Sequence, residues 1–590
     1  MATFASMSST MVEAFQATIT RQPEAVAFRT VGGAVEVTFS QWNDQVRKMA
    51  AGLDGIGVSR GSKVALMLVN RPEFYTIDVA AQHLGAAPFS LYNTSSSEQI
   101  HYYLVDSGAT VVLAEAQFVD KVLSTIDGTA VEHVVCIDAQ RLGTLTVDLL
   151  YRHAKPNFDF EATWRSVRPD DDLTLIYTSG TTGEPKGVRV THANMIAMVN
   201  SAERLWLSTA HDRLLSFLPS AHIADRLSAL YHLQVVGNQL TTVSNRKDLP
   251  AALVDVRPTI FGAVPQVWQK LKTAVEIQLS GASGREARLS GWAVSVGRLV
   301  SDRELDRVAV SKRLRIQHLL ADRLVLSRIR RAIGLDDLKL AISAAAPLPE
   351  EVLRFFNGIG IPLSDAWGMS EVAGVVTMSA KGHVRPGTVG TPLDGVEIRI
   401  ALDGEILVRG PSVMKGYMNK PEASREAVDC DGWLHTGDIG ELNQQGYLTL
   451  LDRKKELIIN AGGKNMSPTV IENWIKTFST LIAHAVTIGN NRNYNVALIA
   501  LDPDAVSALA RKRQLATDPA KAAQDPTLLD IVNAAIQQAN TKLSRIEQIK
   551  KFRIVPEYWE PGSELLTATH KVRRRPIETR YAEIINELYK

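Results

Sequence analysis

Cysteine is nearly missing from this chain: Cys136 and Cys430 are the only two in 590 residues. Two isolated thiols cannot build a zinc site, and so few of them suit a reducing compartment, so the expectation is a cytoplasmic protein. Long apolar runs are missing as well. No segment reaches the ~18 consecutive apolar residues a membrane helix needs, and the start, Met1-Ala2-Thr3-Phe4-Ala5-Ser6, lacks the basic and apolar regions of a secretory signal. Association with a membrane is therefore expected to be peripheral at most. Net charge is close to absent: 65 basic against 63 acidic side chains leave +2, which gives no electrostatic reason to expect a nucleic acid partner. There is no internal repeat and no low-complexity segment.

What is present is apolar content and alternation. With 45% hydrophobic residues, the chain is too long for one core and long enough for a large domain followed by a smaller one. From Met11 to about Ala114 strand-like and helix-like runs alternate. Lys63 to Leu68 and Val111 to Leu113 read as buried strands, and Pro72 opens a helix between them. This is the β/α alternation that builds a mainly parallel sheet with helices on its faces. Turns at short intervals from Gly387 to Gly410 predict a smaller β-barrel-like part or distorted sheet. Between about Ala274 and Arg331 the period is helical, with Trp292, Val296, Leu299, Val300, Leu319, Leu320 and Leu324 as an apolar stripe and a polar side rich in arginine. That side reads as a solvated helix face in preference to a membrane-surface patch.

The most informative stretch is Tyr177-Thr178-Ser179-Gly180-Thr181-Thr182-Gly183-Glu184-Pro185-Lys186-Gly187. It follows the strand-like Leu173 to Ile176 and precedes a β-rich Val188 to Val190. Its bland reading is an ordinary Gly/Ser/Thr turn. Against that, three glycines would let backbone N–H groups converge on an anion, hydroxyls add donors, and Lys186 adds a positive charge. A Walker A loop needs Gly-Lys-Ser/Thr opening a helix, whereas here Pro185 precedes Lys186 and Gly187-Val188 follow it.

The motif resembles the signature of the adenylate-forming superfamily, which comprises acyl- and aryl-CoA synthetases, peptide-synthetase adenylation domains and firefly-type luciferases. Further segments resemble the family in order along the chain, and the resemblance implies a site residue by residue. Thr178, Ser179, Gly180, Thr181, Thr182, Gly183 and Lys186 would hold phosphates. Leu218-Pro219-Ser220-Ala221-His222 would place His222 near the acyl substrate, although Arg226 stands where some long-chain relatives carry a gating Trp. Val264 lies in a segment similar to one of long-chain synthetases. Ala344, Ala345, Ala346 and Pro347 occupy a turn that is usually Gly-Gly-Ala-Pro, small because adenine lies on its backbone, with Val264, Ala344 and Ala345 beside the acyl chain.

Asp365, Ala366, Trp367, Gly368, Met369, Ser370 and Glu371 resemble the Tyr-Gly-x-Thr-Glu motif. By that likeness Trp367 stacks on adenine, Ser370 touches the α-phosphate, and Glu371 holds Mg²⁺ together with Thr178, oxygen ligands being what a hard cation needs. Asp438 and Arg453 would meet the ribose, and Lys455 would be the hinge of a mobile C-terminal domain. Gly462 and Gly463 would present the pantetheine tunnel, and Lys571 would be the adenylation lysine. Arg573, Arg574 and Arg575 would meet either CoA phosphates or solvent.

The resemblance thus implies an α/β enzyme with an N-terminal AMP-binding domain over residues 1–451 and an α+β domain over residues 452–590 that rotates on the hinge. It implies a medium- to long-chain fatty acid–CoA ligase using ATP, CoA and Mg²⁺, with Lys571, Glu371, Thr178 and Lys186 as catalytic groups, as a monomer or homodimer. The alternatives are a fatty acyl-AMP ligase that delivers to a carrier protein, and a CoA ligase for another hydrophobic acid. A peptide-synthetase module is disfavoured, since no carrier domain follows Lys571.

Overall fold

The alternation over the first third of the chain becomes a five-stranded sheet, ordered Ala87–Ser90, Lys63–Met67, Val111–Ala114, His133–Cys136, Leu145–Thr146. Every neighbouring pair in it is parallel, and its first three strands are buried on both faces, so they read as short continuous apolar runs. The computed structural model describes residues 8–178, 184–281, 283–461, 464–513, 516–567 and 571–590. The chain divides into two compact units. One comprises residues 1–345, 353–398 and 407–435, and the other residues 346–352, 399–406 and 436–590.

Two further sheets of the first unit carry the site. Ile260–Ala263, Leu340–Ser343 and Leu363–Met369 run parallel side by side, and Gly374–Met378 adds antiparallel. Asp172–Thr178 and Lys186–Thr191 form an antiparallel hairpin that runs from Asp172 opposite Thr191 to Thr178 opposite Lys186, with one shift of register between Asp172 and Thr174. A two-residue strand, Gly416–Tyr417, pairs onto its outer edge. The hairpin is tied to the five-stranded sheet through Lys63 Nζ, 3.0 Å from Asp172 Oδ2. Burial alone would raise the Asp172 carboxyl, and Lys63 and Arg189 beside it hold it below the ordinary carboxylate range. Directly after the hairpin, Thr191 and Asn194 exchange side-chain and backbone hydrogen bonds as a capping box that starts the helix His192–Trp206.

The helical stretch consists of Pro265–Ser280, Gly284–Leu305 and a continuous run over residues 312–332. The expected apolar stripe divides there: Val296 and Val300 are buried, but Leu299, Leu319, Leu320 and Leu324 face outward. Periodicity marked one face, and packing chose another. Among the described residues no helix is long and apolar enough to cross a membrane. The β-rich stretch forms a four-stranded sheet ordered Glu397–Ile400, Glu405–Arg409, Leu434–Leu442, Leu448–Arg453.

In the second unit a sheet of Ile482–Ile488, Asn495–Leu501 and Ile549–Ile554 packs with the helices Pro468–Thr477 and Pro526–Asn540 through Ile471, Ile475, Val532 and Ile536.

A buried polar network lies behind the Leu-Pro-x-x-His segment. Arg226, fully buried, sits 2.8 Å from Asp78 Oδ2 and donates to Ser220 O, Tyr231 Oη and Ser90 Oγ. Its donors are engaged in holding the turn that follows His222, so this residue cannot gate by swinging as a free side chain would. Next to it, Asp225 accepts from Ser216 Oγ at 3.1 Å and, more distantly, from Asn70. Burial pushes the Asp225 carboxyl up to about 7, although Ser216 and Arg226 pull the other way. A carboxyl raised in the folded state contributes stability that is fully present below its unfolded value near 4 and is lost as pH rises toward 7. Asp225→Asn, which imitates the protonated form, should therefore gain about 2–3 kcal/mol relative to the parent between pH 5 and pH 8. Urea unfolding of both proteins at the two pH values measures this. Parallel pH dependences would mean that Asp225 is ionised in the folded chain.

Candidate active site

In open α/β sheets, ligands bind beyond the carboxyl ends of parallel strands. Three neighbouring strands present such ends in register, because Ala263 pairs with Ser343 and Ser343 with Asp365. Val264 and Ala344 therefore leave the sheet side by side, with Ala344 N 3.4 Å from Ala263 O. Val264 opens the helix Pro265–Ser280, which Trp268 seats by donating Nε1–H to Ile342 O at 3.1 Å. Ala345 has φ +73, a left-handed conformation that costs a residue with a Cβ about 1–2 kcal/mol. The turn keeps the backbone shape of a glycine turn with an alanine in it. Ala346 and Pro347 are exposed and belong to the second unit.

Along the third strand Ala366 and Trp367 are buried, and Asp365, Gly368 and Met369 are partly so. Gly368 is required by close approach. A Cβ there would stand 1.9 Å from Gly374 O, where the register with Gly374–Met378 shifts. Ser370 and Glu371 form the short turn that ends the strand, both largely buried. Glu371 is fixed from two directions: its carbonyl accepts from Met414 N at 2.8 Å, and its Oε1 accepts from Tyr417 Oη at 3.1 Å. Burial raises the Tyr417 phenol and the Glu371 charge raises it further, so Tyr417 stays protonated and donates. Lys186 Nζ stands over the same ring, 4.7 Å from its centroid. Tyr417 thus links Lys186 to the Glu371 carboxylate.

The sequence reading missed Tyr417. Its only local signal is the pair Gly416-Tyr417 in a β-rich stretch. Here Tyr417 N donates to Ser424 Oγ at 2.8 Å and the strand pairs with Arg189 and Val188. Thr178 closes the hairpin opposite Lys186. Gly187 has a different task from the expected one: it lies in a strand opposite Tyr177, where a Cβ would come within 3.0 Å of the phenol ring. Ser179, Gly180, Thr181, Thr182 and Gly183, expected to hold phosphate, lie outside the described residues, as do Gly462 and Gly463. His222 caps the turn Ile223–Asp225, accepting from Ala224 N at Nδ1 (3.1 Å), which leaves the ring's proton on Nε2.

In the second unit, Asp438 and Arg453 stand opposite each other on paired strands, with Arg453 Nε 3.2 Å from Asp438 Oδ1. Lys455 is exposed in a turn, and the residues on both sides of it are anchored. Asp452 accepts from Ser467 Oγ (2.5 Å) and Thr469 Oγ1 (3.0 Å), and Lys454 pairs with Asp403 and Glu405. Glu456 pairs with Arg574 at 3.3 Å. Arg574 also forks onto Glu472 at 2.8 and 2.9 Å, so its guanidinium is engaged by two carboxylates of the second unit. Lys571 itself is exposed, and Thr567 Oγ1 accepts from its N–H at 2.9 Å.

The AMP-binding enzyme family model matches residues 15–418, and the model of an AMP-binding enzyme C-terminal domain matches residues 455–590. The chain belongs to the AMP-binding enzyme family. It is 48% identical to a putative fatty-acid–CoA ligase, fadD11, of Mycobacterium tuberculosis, over 76% of this chain and 79% of the relative. It is 34% identical to the long-chain-fatty-acid–CoA ligase FadD15 of the same organism, over 96% and 95%. Among solved structures, O-succinylbenzoate coenzyme A synthetase of Bacillus subtilis in complex with ATP and magnesium ion shares the fold with a TM-score of 0.68 at 23% identity, over 95% of this chain and 98% of that one.

The Arg574 fork yields a prediction for the second unit. Removing one partner of a buried ion pair leaves the other charge uncompensated, at about 3–5 kcal/mol. Arg574→Met should raise amide exchange across Pro468–Thr477 and Ile482–Ile488, and Arg574→Lys, which keeps charge but not the fork, should recover part of the protection. Unchanged exchange in Arg574→Met would contradict the anchoring described.

Proposed function

We propose that this chain is an ATP-dependent acyl-CoA synthetase that activates a medium- to long-chain fatty acid through an acyl-AMP intermediate. The observation that carries the reading is the cluster of Lys186, Tyr417 and Glu371 in the unit that also presents the carboxyl ends of three parallel strands. The naming of relatives as fatty-acid–CoA ligases supports the choice of acid.

In the first step a carboxylate oxygen of the acid attacks the α-phosphorus of ATP, the bond to the β-phosphate oxygen breaks, and acyl-AMP and pyrophosphate form. No protein nucleophile is needed, so the chain's contribution is positioning and charge neutralisation. Lys186 neutralises phosphate charge, and Trp367 and the turn at Ala345 hold adenine. Ser370 meets the α-phosphate. Asp438 and Arg453 orient the ribose, and Lys571 balances charge at the reacting phosphate. Glu371 and Thr178 would hold Mg²⁺. Such a cation takes one or two protein oxygens and completes its shell with phosphate and water, and the Glu371 carboxylate is oriented for it by the Tyr417 hydroxyl at Oε1. When bound, it would neutralise the polyphosphate. In the second step the CoA sulfur attacks the acyl carbonyl, AMP leaves, and the thiol proton is released. Rotation at Lys455 would exchange Lys571 for the loop of Gly462 and Gly463.

Tyr417→Phe keeps the ring under Lys186 and removes the donor to Glu371. A hydrogen bond to a charged group contributes about 1.5–3 kcal/mol, so adenylation should slow by roughly ten- to a hundredfold with a raised Mg²⁺ requirement. Conversion of supplied acyl-AMP to acyl-CoA should change little. Equal losses in both half-reactions would remove Tyr417 from the phosphate chemistry.

The alternation of steps has a crossed test. Lys571→Ala should abolish acyl-AMP formation and spare thioester formation from supplied acyl-AMP. Lys455→Pro, which fixes φ at the hinge, should do the reverse. Parallel losses in the two variants would mean that one fixed arrangement performs both steps.

A further inference from the structure

The helical run over residues 312–332 presents an unusual outer face. Ile316, Leu319, Leu320 and Leu324, at spacings of three, four and eight from the first, are 60, 69, 51 and 42% exposed. One helical face is therefore apolar and uncovered. The opposite side is used: Leu314, Ala321, Val325, Leu326 and Ile329 are buried and seat the run on the first unit. Arg330 secures its end by donating to Ile359 O at 2.8 Å.

The charge of the segment is as one-sided as its apolarity. From Arg307 to Arg331 there are eight Lys or Arg residues and one acidic residue, Asp322, in a chain whose formal net charge is +2. Asp322 is itself paired with Arg330 at 2.6 Å. Arg313 and Arg323 fall within the apolar face and Arg315 beside it, all exposed, and among the described residues none has an acidic partner within ion-pairing distance. A solvated face accounts for the arginines but not for the leucines between them.

We propose that this face is a docking surface for an anionic lipid bilayer, lying in the plane of the interface with Ile316, Leu319, Leu320 and Leu324 in the acyl boundary. The combination is what an interfacial helix requires: apolar side chains at the centre and cations whose long stems reach back to the headgroups. Charge complementarity selects the occupant. A second copy of this chain docking through the same face by two-fold symmetry would set arginine against arginine, whereas anionic headgroups neutralise every one of them. The proposal does not depend on the chemistry assigned to the active site, because docking needs neither ATP nor acid.

The test is co-sedimentation of the full chain with phosphatidylcholine vesicles, with and without phosphatidylglycerol, in the absence of substrates. The parent should bind the anionic vesicles and release them in high salt. The combined variant Arg313→Gln, Arg315→Gln, Arg323→Gln should bind anionic vesicles about a hundredfold more weakly, and Leu319→Ser, Leu320→Ser, Leu324→Ser should lose binding with the melting transition kept. These side chains are exposed, so both variants should fold. Failure of the parent to bind, or unchanged binding in either variant, overturns the proposal. A leucine variant that turns from dimer to monomer in gel filtration while its vesicle binding is unchanged would assign the face to a second copy, and overturn it equally.

Discussion

The pairing of Thr178 with Lys186 is the constraint from which the rest of the site follows. The ladder that runs on from Thr174 opposite Val190 sets Thr178 opposite Lys186, so the positions of both residues follow from one register. The same hairpin provides the edge on which Gly416–Tyr417 pairs, and that pairing brings the Tyr417 ring to Lys186 and its hydroxyl to Glu371. Glu371 in turn ends the strand that carries Trp367. One antiparallel register thus coordinates three segments from distant parts of the sequence. Its anchor to the five-stranded sheet, the ion pair of Lys63 with Asp172, is mostly buried on both sides, which makes it far less sensitive to salt than the many surface pairs.

Much of this was legible in the sequence. Short runs of apolar residues between glycines gave the parallel strands, because strands buried on both faces leave that pattern. The motifs singled out Lys186 and Glu371, which meet through Tyr417, and Asp438 and Arg453, which pair across neighbouring strands. What stayed hidden depends on long-range packing. Tyr417 stands in a two-residue strand, too short for any period to show. The motif places Arg226 only as the residue standing where a gating Trp can occur, and its buried partner Asp78, far away in sequence, appears only once the chain is folded. The strand Ile549–Ile554 has the sequence Ile-Lys-Lys-Phe-Arg-Ile, whose charged residues interrupt any apolar run. It is an edge strand, where charged side chains are a normal protection. The outward leucines of residues 312–332 have the helical period of core residues, and only packing separates the two faces.

Within the second unit the exposed turn at Lys455 is bracketed by fixed points. Asp452 is held by Ser467 and Thr469, Lys454 by two carboxylates, and Glu456 by Arg574, which is itself locked on Glu472. A φ/ψ change at one exposed residue between firmly anchored neighbours is how a hinge absorbs a large motion. Arg574 also lies three residues after Lys571, so the ion-pair network beside the turn comes close to the lysine in sequence.

The central claim is that the cluster on the paired hairpin activates a fatty carboxylate as an adenylate. The most direct measurement is exchange of labelled pyrophosphate into ATP, without CoA, across a panel of straight-chain acids from acetate upward and aromatic acids for contrast. The account predicts exchange that requires an acid and rises toward medium and long chains. Exchange independent of any acid, or fastest with acetate or an aromatic acid, would contradict it.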